Sequence, residues 1–215
     1  MSKAYRWLVP FPDEDEPVVL EASREHWRSE FDQLAAAVHL LNLSPMGAIE
    51  HIGSTSVPGL VAKDVTDVQV RVPLLEQRWV IDQFSSAGFR YRLEEWNNVE
   101  LTREGPVEKL VFGPRAGARR SNINVRTEGS KGARDALLFR DFFRGDDDAR
   151  EEWGTFKQSI LHATPEIDLA TYGQAKQPAW HQLMVSADDW ADEQGWHPTP
   201  LVSRDELYFA ALQES

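Results

Sequence analysis

Apolar residues recur every three or four positions over residues 23–41, where Trp27, Phe31, Leu34, Val38 and Leu41 fall at spacings of 4, 3, 4 and 3. This period gathers them on one side of a helix that can cap one face of a sheet, with Ser23 as its expected N-cap. The pattern changes over residues 48–72. Ala48–Ile52 is short and β-prone, Gly53, Ser54, Thr55 and Ser56 form a flexible loop with three hydroxyls, and Pro58-Gly59 turns the chain again. Over 65–72 the residues alternate, with Val65, Asp67, Gln69 and Arg71 on one face and Thr66, Val68, Val70 and Val72 on the other. At about 3.3 Å per residue, the side chains of Asp67 and Gln69 emerge about 7 Å apart on the same face.

The rest of the chain continues the alternation of periods. Residues 74–87 read as a second helix ending at Gly88, with Trp79, Ile81 and Phe84 as buried candidates. Residues 89–93 read as a third strand, 94–106 as a polar loop or ragged hairpin, 109–112 as β, 113–118 as a loop, and 121–126 as another alternating strand. In that strand Asn122, Asn124 and Arg126 share one face, and Ile123 and Val125 the other. Two helical stretches follow, 131–144 and one starting behind Asp146, Asp147 and Asp148 that puts Ala149, Trp153, Phe156 and Ile160 on one stripe. The expected fold class is α/β: a central mixed sheet flanked by helices, then a helical C-terminal half. At the N-terminus Tyr5, Trp7, Leu8 and Phe11 are expected to dock on the body ahead of a solvated acidic turn at 13–16.

A chain of 215 residues with 41% hydrophobic residues and 8 tryptophans can bury a full core. Its formal net charge of -12 repels polyanions, so duplex DNA is not an expected partner. With no cysteine, disulfides, thiolate metal sites and cysteine nucleophiles are excluded. The histidines show no paired metal spacing, and His51, beside the Gly-Ser loop, reads as a satisfied strand histidine. No signal-peptide pattern and no apolar run of about 18 residues is present, so no membrane association and a cytoplasmic location are expected. Against the global charge, residues 115–134 carry six basic residues (Arg115, Arg119, Arg120, Arg126, Lys131, Arg134) and one acid (Glu128), a local balance of 6 - 1 = +5. Such a patch suits a small polyanion, and it is expected to face the Gly-Ser loop across one cleft with Arg126 inside.

Phosphoryl and nucleotidyl transfer need a Gly-Ser turn that admits phosphate close to backbone, followed by a strand whose carboxylates hold Mg²⁺ against the same phosphates. The order of parts in residues 50–69 matches that requirement. A Gly-x-Ser-x-Gly elbow, a Walker lysine loop and a Gly-x-Gly-x-x-Gly turn are all missing, which leaves hydrolase, P-loop and Rossmann chemistry without support.

The run from Glu50 through His51, Ile52, Gly53, Ser54, Thr55, Ser56, Val57, Pro58, Gly59 and Leu60, with Ala62-Lys63 and then Asp67, resembles the GrpB family of the nucleotidyltransferase superfamily. Further likeness lies in residues 138–157 and in Tyr172 and Lys176, which meet a Tyr-x-x-x-Lys pattern, so the resemblance spans about residues 18–185. It implies a nucleotidyltransferase fold in a domain of residues 1–185, with 186–215 as a C-terminal extension of unassigned role. It also implies a site in which Gly53, Ser54, Thr55 and Ser56 cradle phosphate, Asp67 holds Mg²⁺, and Lys63, Arg126 and Lys176 neutralise charge. The superfamily pattern asks for a second acid two residues after the first and a third on a later strand. This chain has Gln69 and Asn124 there, the latter at a position where family members often carry His.

Two function classes follow. One is a nucleotidyltransferase acting on a nucleoside triphosphate with Mg²⁺. The other is a non-catalytic module that binds an anion or nucleotide or assists folding, in keeping with GrpB-like domains fused to dephospho-coenzyme A kinase.

Overall fold

In the computed structural model, residues 17–43, 47–93, 95–102 and 105–201 are described. The expected docking of Tyr5, Trp7, Leu8 and Phe11 and the acidic turn at 13–16 lie outside them, as do residues 202–215. The elements run α1 (His26–His39), β1 (Ala48–Ile52), a 3-10 turn (Ser54–Ser56), β2 (Thr66–Val72), α2 (Gln77–Ser86), β3 (Arg90–Tyr91), α3 (Glu95–Asn98), β4 (Val99–Thr102), β5 (Gly105–Gly113), β6 (Ser121–Thr127), α4 (Lys131–Gly145), α5 (Asp147–Ala163) and α6 (Leu169–Gln194). The sheet order is β1-β2-β6-β5-β3, with β4 paired to β5. Among the described strands only β2 and β6 pair in parallel; the other ladders are antiparallel, so the sheet is mixed as expected.

Alternation decides what each face of the sheet meets. Val68, Val70 and Val72 of β2, Ile123 and Val125 of β6, and Leu110 and Phe112 of β5 form one face, and Phe31, Val38, Val80 and Phe84 of α1 and α2 close over it. Each of these side chains is at most 8% exposed, and burial of this kind contributes about 1.5–3 kcal/mol per large apolar side chain. Within α2 the expected burial of Trp79 is not met: Trp79 is 38% exposed and Val80 takes the inward position. Nor does Ser23 cap α1, whose N-cap residue is Glu25 with no side-chain hydrogen bond. Asp146 does cap α5, accepting from the Ala149 N–H at 2.8 Å. The expected ragged hairpin is real, with β4 and β5 paired from Val99↔Glu108 to Thr102↔Gly105.

The opposite face is polar and is covered by α4. Behind it lies a second core, in which Val57 and Leu60 pack with Leu138, Phe139, Phe142, Phe143, Trp153 and Met184. Helix α6 continues past residue 185 to Gln194, and Ala187 and Ala191 are buried in this second core. Trp196 packs there too and donates from Nε1 to Asp141 Oδ2 at 3.1 Å. Residues 186–199 are thus built into the fold. Among the described residues no helix is long and apolar enough to cross a membrane.

Candidate functional site

The polar face is a ladder set by strand register. Glu50 lies opposite Gln69, which lies opposite Asn124; Asp67 lies opposite Asn122, and Arg71 opposite Arg126. Far from the loop, this ladder closes on itself. Arg71, 2% exposed, donates to Glu50 Oε1 at 2.5 Å, to Glu128 Oε2 at 2.8 Å and to the Thr199 carbonyl at 2.7 Å. Arg126 donates to Glu100 Oε1 at 2.8 Å and to Gln69 Oε1 at 2.9 Å. Burial alone would push the Glu100 carboxyl up, but Arg126 and Lys109 hold it down at about 2. Gly132 at the start of α4 permits this pairing, because a Cβ there would overlap the Glu100 carboxylate.

Gln69 is fully engaged in that ladder. Its amide donates to Glu50 Oε2 at 3.2 Å and to the Ala133 carbonyl at 3.1 Å, and its carbonyl accepts from Arg126. Asn124 is likewise turned to its neighbours, receiving Lys109 Nζ at 3.4 Å. Gln69 and Asn124 therefore tie strands and α4 together rather than facing an opening.

At the loop end the composition of the ladder changes. Gly53 has φ +68°, and a Cβ on it would lie 2.6 Å from Asp67 Oδ2, so the loop can approach the carboxylate this closely only as glycine. Asp67 accepts from Asn122 at 3.2 Å. Burial raises its pKa, against the opposing pull of Lys63, the Asn122 hydrogen bond, Lys176 and Arg126. The three loop hydroxyls diverge. Thr55 Oγ1 lies 3.0 Å from His51 Nε2 and donates to the Val65 carbonyl, and Ser56 Oγ donates to the Gly53 carbonyl at 2.6 Å. Ser54 Oγ instead receives Lys157 Nζ at 3.1 Å.

Lys157 is the residue that sequence reasoning misses. It sits on α5 next to the stripe of Trp153, Phe156 and Ile160, is 3% exposed, and also donates to the Val61 carbonyl. Its pKa falls from 10.5 to about 7, through burial first and then the neighbouring Lys176 and Lys63. Lys176, one turn after Tyr172 on α6 and 4.7 Å above its ring, falls to about 8 through burial and Lys63, with Asp67 opposing. A lysine beside the apolar stripe of an amphipathic helix was the available signal.

The structure thus brings together Gly53, Ser54, Lys63, Asp67 and Lys176, with Lys157 added, and sets Gln69, Asn124 and Arg126 deeper along the face. The basic segment 115–134 does not form one patch facing the loop. Arg119 pairs with Asp64 and Glu30, Arg115 lies over the Phe89 ring, Lys131 pairs with Asp135, and Arg134 with Asp188. Local charge in a sequence window is dispersed once each side chain finds an acid on another element. Asp64, also bonded to Trp27, faces α1 and not Asp67. His51 lies on the apolar face, stacked on Phe31 with ring centroids 4.8 Å apart; burial and then Arg144, Arg28 and Arg140 lower its pKa to about 4, so it is neutral.

Mg²⁺ prefers several hard oxygen donors in octahedral array. Among the described residues, the Asp67 carboxylate accepts from the Asn122 amide and feels the charges of Lys63, Lys176 and Arg126. Among the described residues, the only three acid or histidine ligand atoms lying within 4.8 Å of one another belong to His26, Glu30 and Asp64, where Arg119 already pairs with both acids. The donor set at Asp67 does not fit a two-metal centre.

Residues 17–185 match the GrpB protein family model. A UPF0157 protein of Streptomyces coelicolor is 32% identical over 156 residues, covering 69% of this chain and 76% of that protein. The dephospho-CoA kinase of Mycolicibacterium paratuberculosis is 30% identical over 168 residues, covering 70% of this chain and 41% of the kinase, so the chain spans well under half the length of that relative. The crystal structure of the conserved protein GrpB from Enterococcus faecalis shares the fold, with a TM-score of 0.65, 22% identity, and coverage of 79% of this chain and 96% of that one. On the family match across most of its length, this chain belongs to the GrpB family.

Proposed function

We propose that the protein binds a phosphate-bearing small molecule of the nucleotide class at the corner between the Gly53–Ser56 loop and Asp67, without needing a divalent ion. The observation that carries this reading is the cluster of Lys63, Lys157 and Lys176, from a loop and two separate helices, in which Lys63 and Lys176 also act on the Asp67 carboxylate. Crowded ammonium groups depress one another's pKa, and an anion placed among them relieves that repulsion. Ser54 supplies a hydroxyl to the same anion, while Asp67 limits how many negative charges fit and fixes their position.

A second reading, nucleotidyl transfer with one Mg²⁺ shared between Asp67 and substrate phosphates, draws on the Gly-Ser loop pressed against the Asp67 carboxylate. Its donor set is incomplete, with Asp67 the one carboxylate and Gln69 and Asn124 turned to protein partners. Calorimetry with ATP, with and without Mg²⁺, separates the two. The binding reading expects affinity in the absence of Mg²⁺, weakened about tenfold or more in Lys176→Met, since a charge-assisted contact is worth about 1.5–3 kcal/mol, and retained or raised in Asp67→Asn. Affinity that requires Mg²⁺ and disappears in Asp67→Asn would establish the transfer reading instead.

A further inference from the structure

The contact between Ser54 and Lys157 has a chemical consequence beyond charge. Of the three loop hydroxyls, those of Thr55 and Ser56 donate to backbone carbonyls, and Ser54 Oγ alone faces an amine, at 3.1 Å. Gly53, in the left-handed region, brings the loop up against Asp67, and Ser54 is the next residue along it. Lys157 is shielded from water and tethered by the Val61 carbonyl, so its amine is held on the hydroxyl instead of sampling solvent. With its pKa lowered to about 7, much of the amine is neutral at neutral pH and able to accept a proton. A serine hydroxyl against a neutral lysine amine is the arrangement of serine-lysine nucleophile pairs.

We propose that Ser54 is a nucleophile, with Lys157 as its general base, toward a phosphoanhydride bound in the lysine corner. This rests on the phosphate-binding reading above. The bond from Ser54 Oγ to phosphorus forms as the bridging bond from phosphorus to the leaving phosphate oxygen breaks. The hydroxyl proton passes to the Lys157 amine, and the resulting ammonium gives it to the leaving phosphate. The products are an O-phosphoryl or O-nucleotidyl serine and the released fragment, with no change of oxidation state. Lys63 and Lys176 face the charge that gathers on phosphorus oxygens in the transition state. Water then attacks phosphorus as the bond to Ser54 Oγ breaks; Lys157 takes the proton from water and gives it to the departing Oγ, which frees the phosphate or nucleotide and restores the serine.

The test uses the full chain and ATP at a concentration that calorimetry shows to be saturating, followed by digestion and mass spectrometry of the peptide holding Ser54. The expected result is a phosphoryl or nucleotidyl adduct on Ser54 that is absent in Ser54→Ala. In Lys157→Arg, which keeps a cation but removes the base, adduct formation at saturating ATP falls about a hundredfold or more. Circular dichroism establishes that each variant is folded, and Lys157→Gln replaces Lys157→Arg if the guanidinium is not accommodated. ATP binding with neither a Ser54 adduct nor ATP cleavage that Ser54→Ala abolishes, or with an adduct formed equally well in the Lys157 variant, overturns the nucleophile and leaves the binding reading standing. Absence of ATP binding overturns both.

Discussion

Arg71 and Asp67 are four residues apart on β2 and point to the same face of the sheet, yet their surroundings are opposite in kind. Around Arg71 every charge has a partner: Glu50 and Glu128 flank it, Gln69 bridges Glu50 to Arg126, and Arg126 in turn holds Glu100. Around Asp67, among the described residues, the charges acting on the carboxylate are those of Lys63, Lys176 and Arg126, and the neutral Asn122 donates a hydrogen bond to it. The difference arises from which elements arrive at each end. At the Arg71 end, strands β1 and β4 and residue 128 bring carboxylates; at the Asp67 end, the loop carrying Lys63 and helices α5 and α6 bring lysines. A buried polar network with balanced charge fixes register and packing, whereas an unbalanced one keeps an electrostatic demand that a ligand can satisfy.

The strongest way to probe the closed end is Arg71→Met. It leaves Glu50 and Glu128 facing each other with no cation between them, a loss of about 3–5 kcal/mol expected for breaking a buried pair from one side. Urea denaturation reads this loss, while phosphate affinity of the folded fraction should stay within about twofold of wild type because the site lies beyond Gln69. Equal loss of phosphate affinity in this variant and in Lys176→Met would erase the distinction between the two ends.

Gly53→Ala comes next and acts on the open end. The backbone there is left-handed and the new methyl would meet Asp67 Oδ2, so a cost of about 1–3 kcal/mol is expected together with weakened anion binding. A variant with normal affinity and stability would show that the close approach of loop and carboxylate is dispensable.

The third test is a pH dependence of opposite sign for folding and for binding. Lys157 and Lys176 have folded pKa values near 7 and 8, below the ordinary lysine value of 10.5, so the unfolded chain binds more protons between these limits. Their contribution to stability is therefore unfavourable below about pH 7 and is relieved as pH rises toward 10.5. Anion affinity runs the other way, falling as pH rises through about 8, because the ligand needs the Lys176 ammonium while Lys157 stands as the neutral base. Thermal melts and calorimetry across this window, on wild type and on Lys157→Gln, check both signs; a pH-independent affinity would remove the lysines from the site.

Much of this arrangement was legible in the chain itself. Strict alternation over 65–72 and 121–126 put Asp67, Gln69, Asn122, Asn124 and Arg126 on one face, and the structure has them there in register. The glycine before Ser54 announced a turn, and the long likeness to the GrpB family singled out Lys63 and Lys176. Failures occurred where side chains choose partners from distant elements. The six basic residues of 115–134 read as one patch, but Arg119 turns to Asp64, Arg134 to Asp188 and Arg126 to Glu100, partners 55, 54 and 26 residues away. Lys157 is masked in the sequence because its neighbours Trp153, Phe156 and Ile160 mark the helix face as core, and spacing does not say that one position beside that stripe reaches Ser54.

By itself, then, the sequence determined the faces: period-two alternation and helical stripes are local properties of the backbone, and they settle which residues are buried together and which share the polar side. The tertiary structure alone decided how charge is distributed along that polar side. Electrostatic pairing acts through space between elements far apart in the chain, so whether a lysine or arginine ends as half of an ion pair or as part of a cationic corner depends on which acid the fold carries to it.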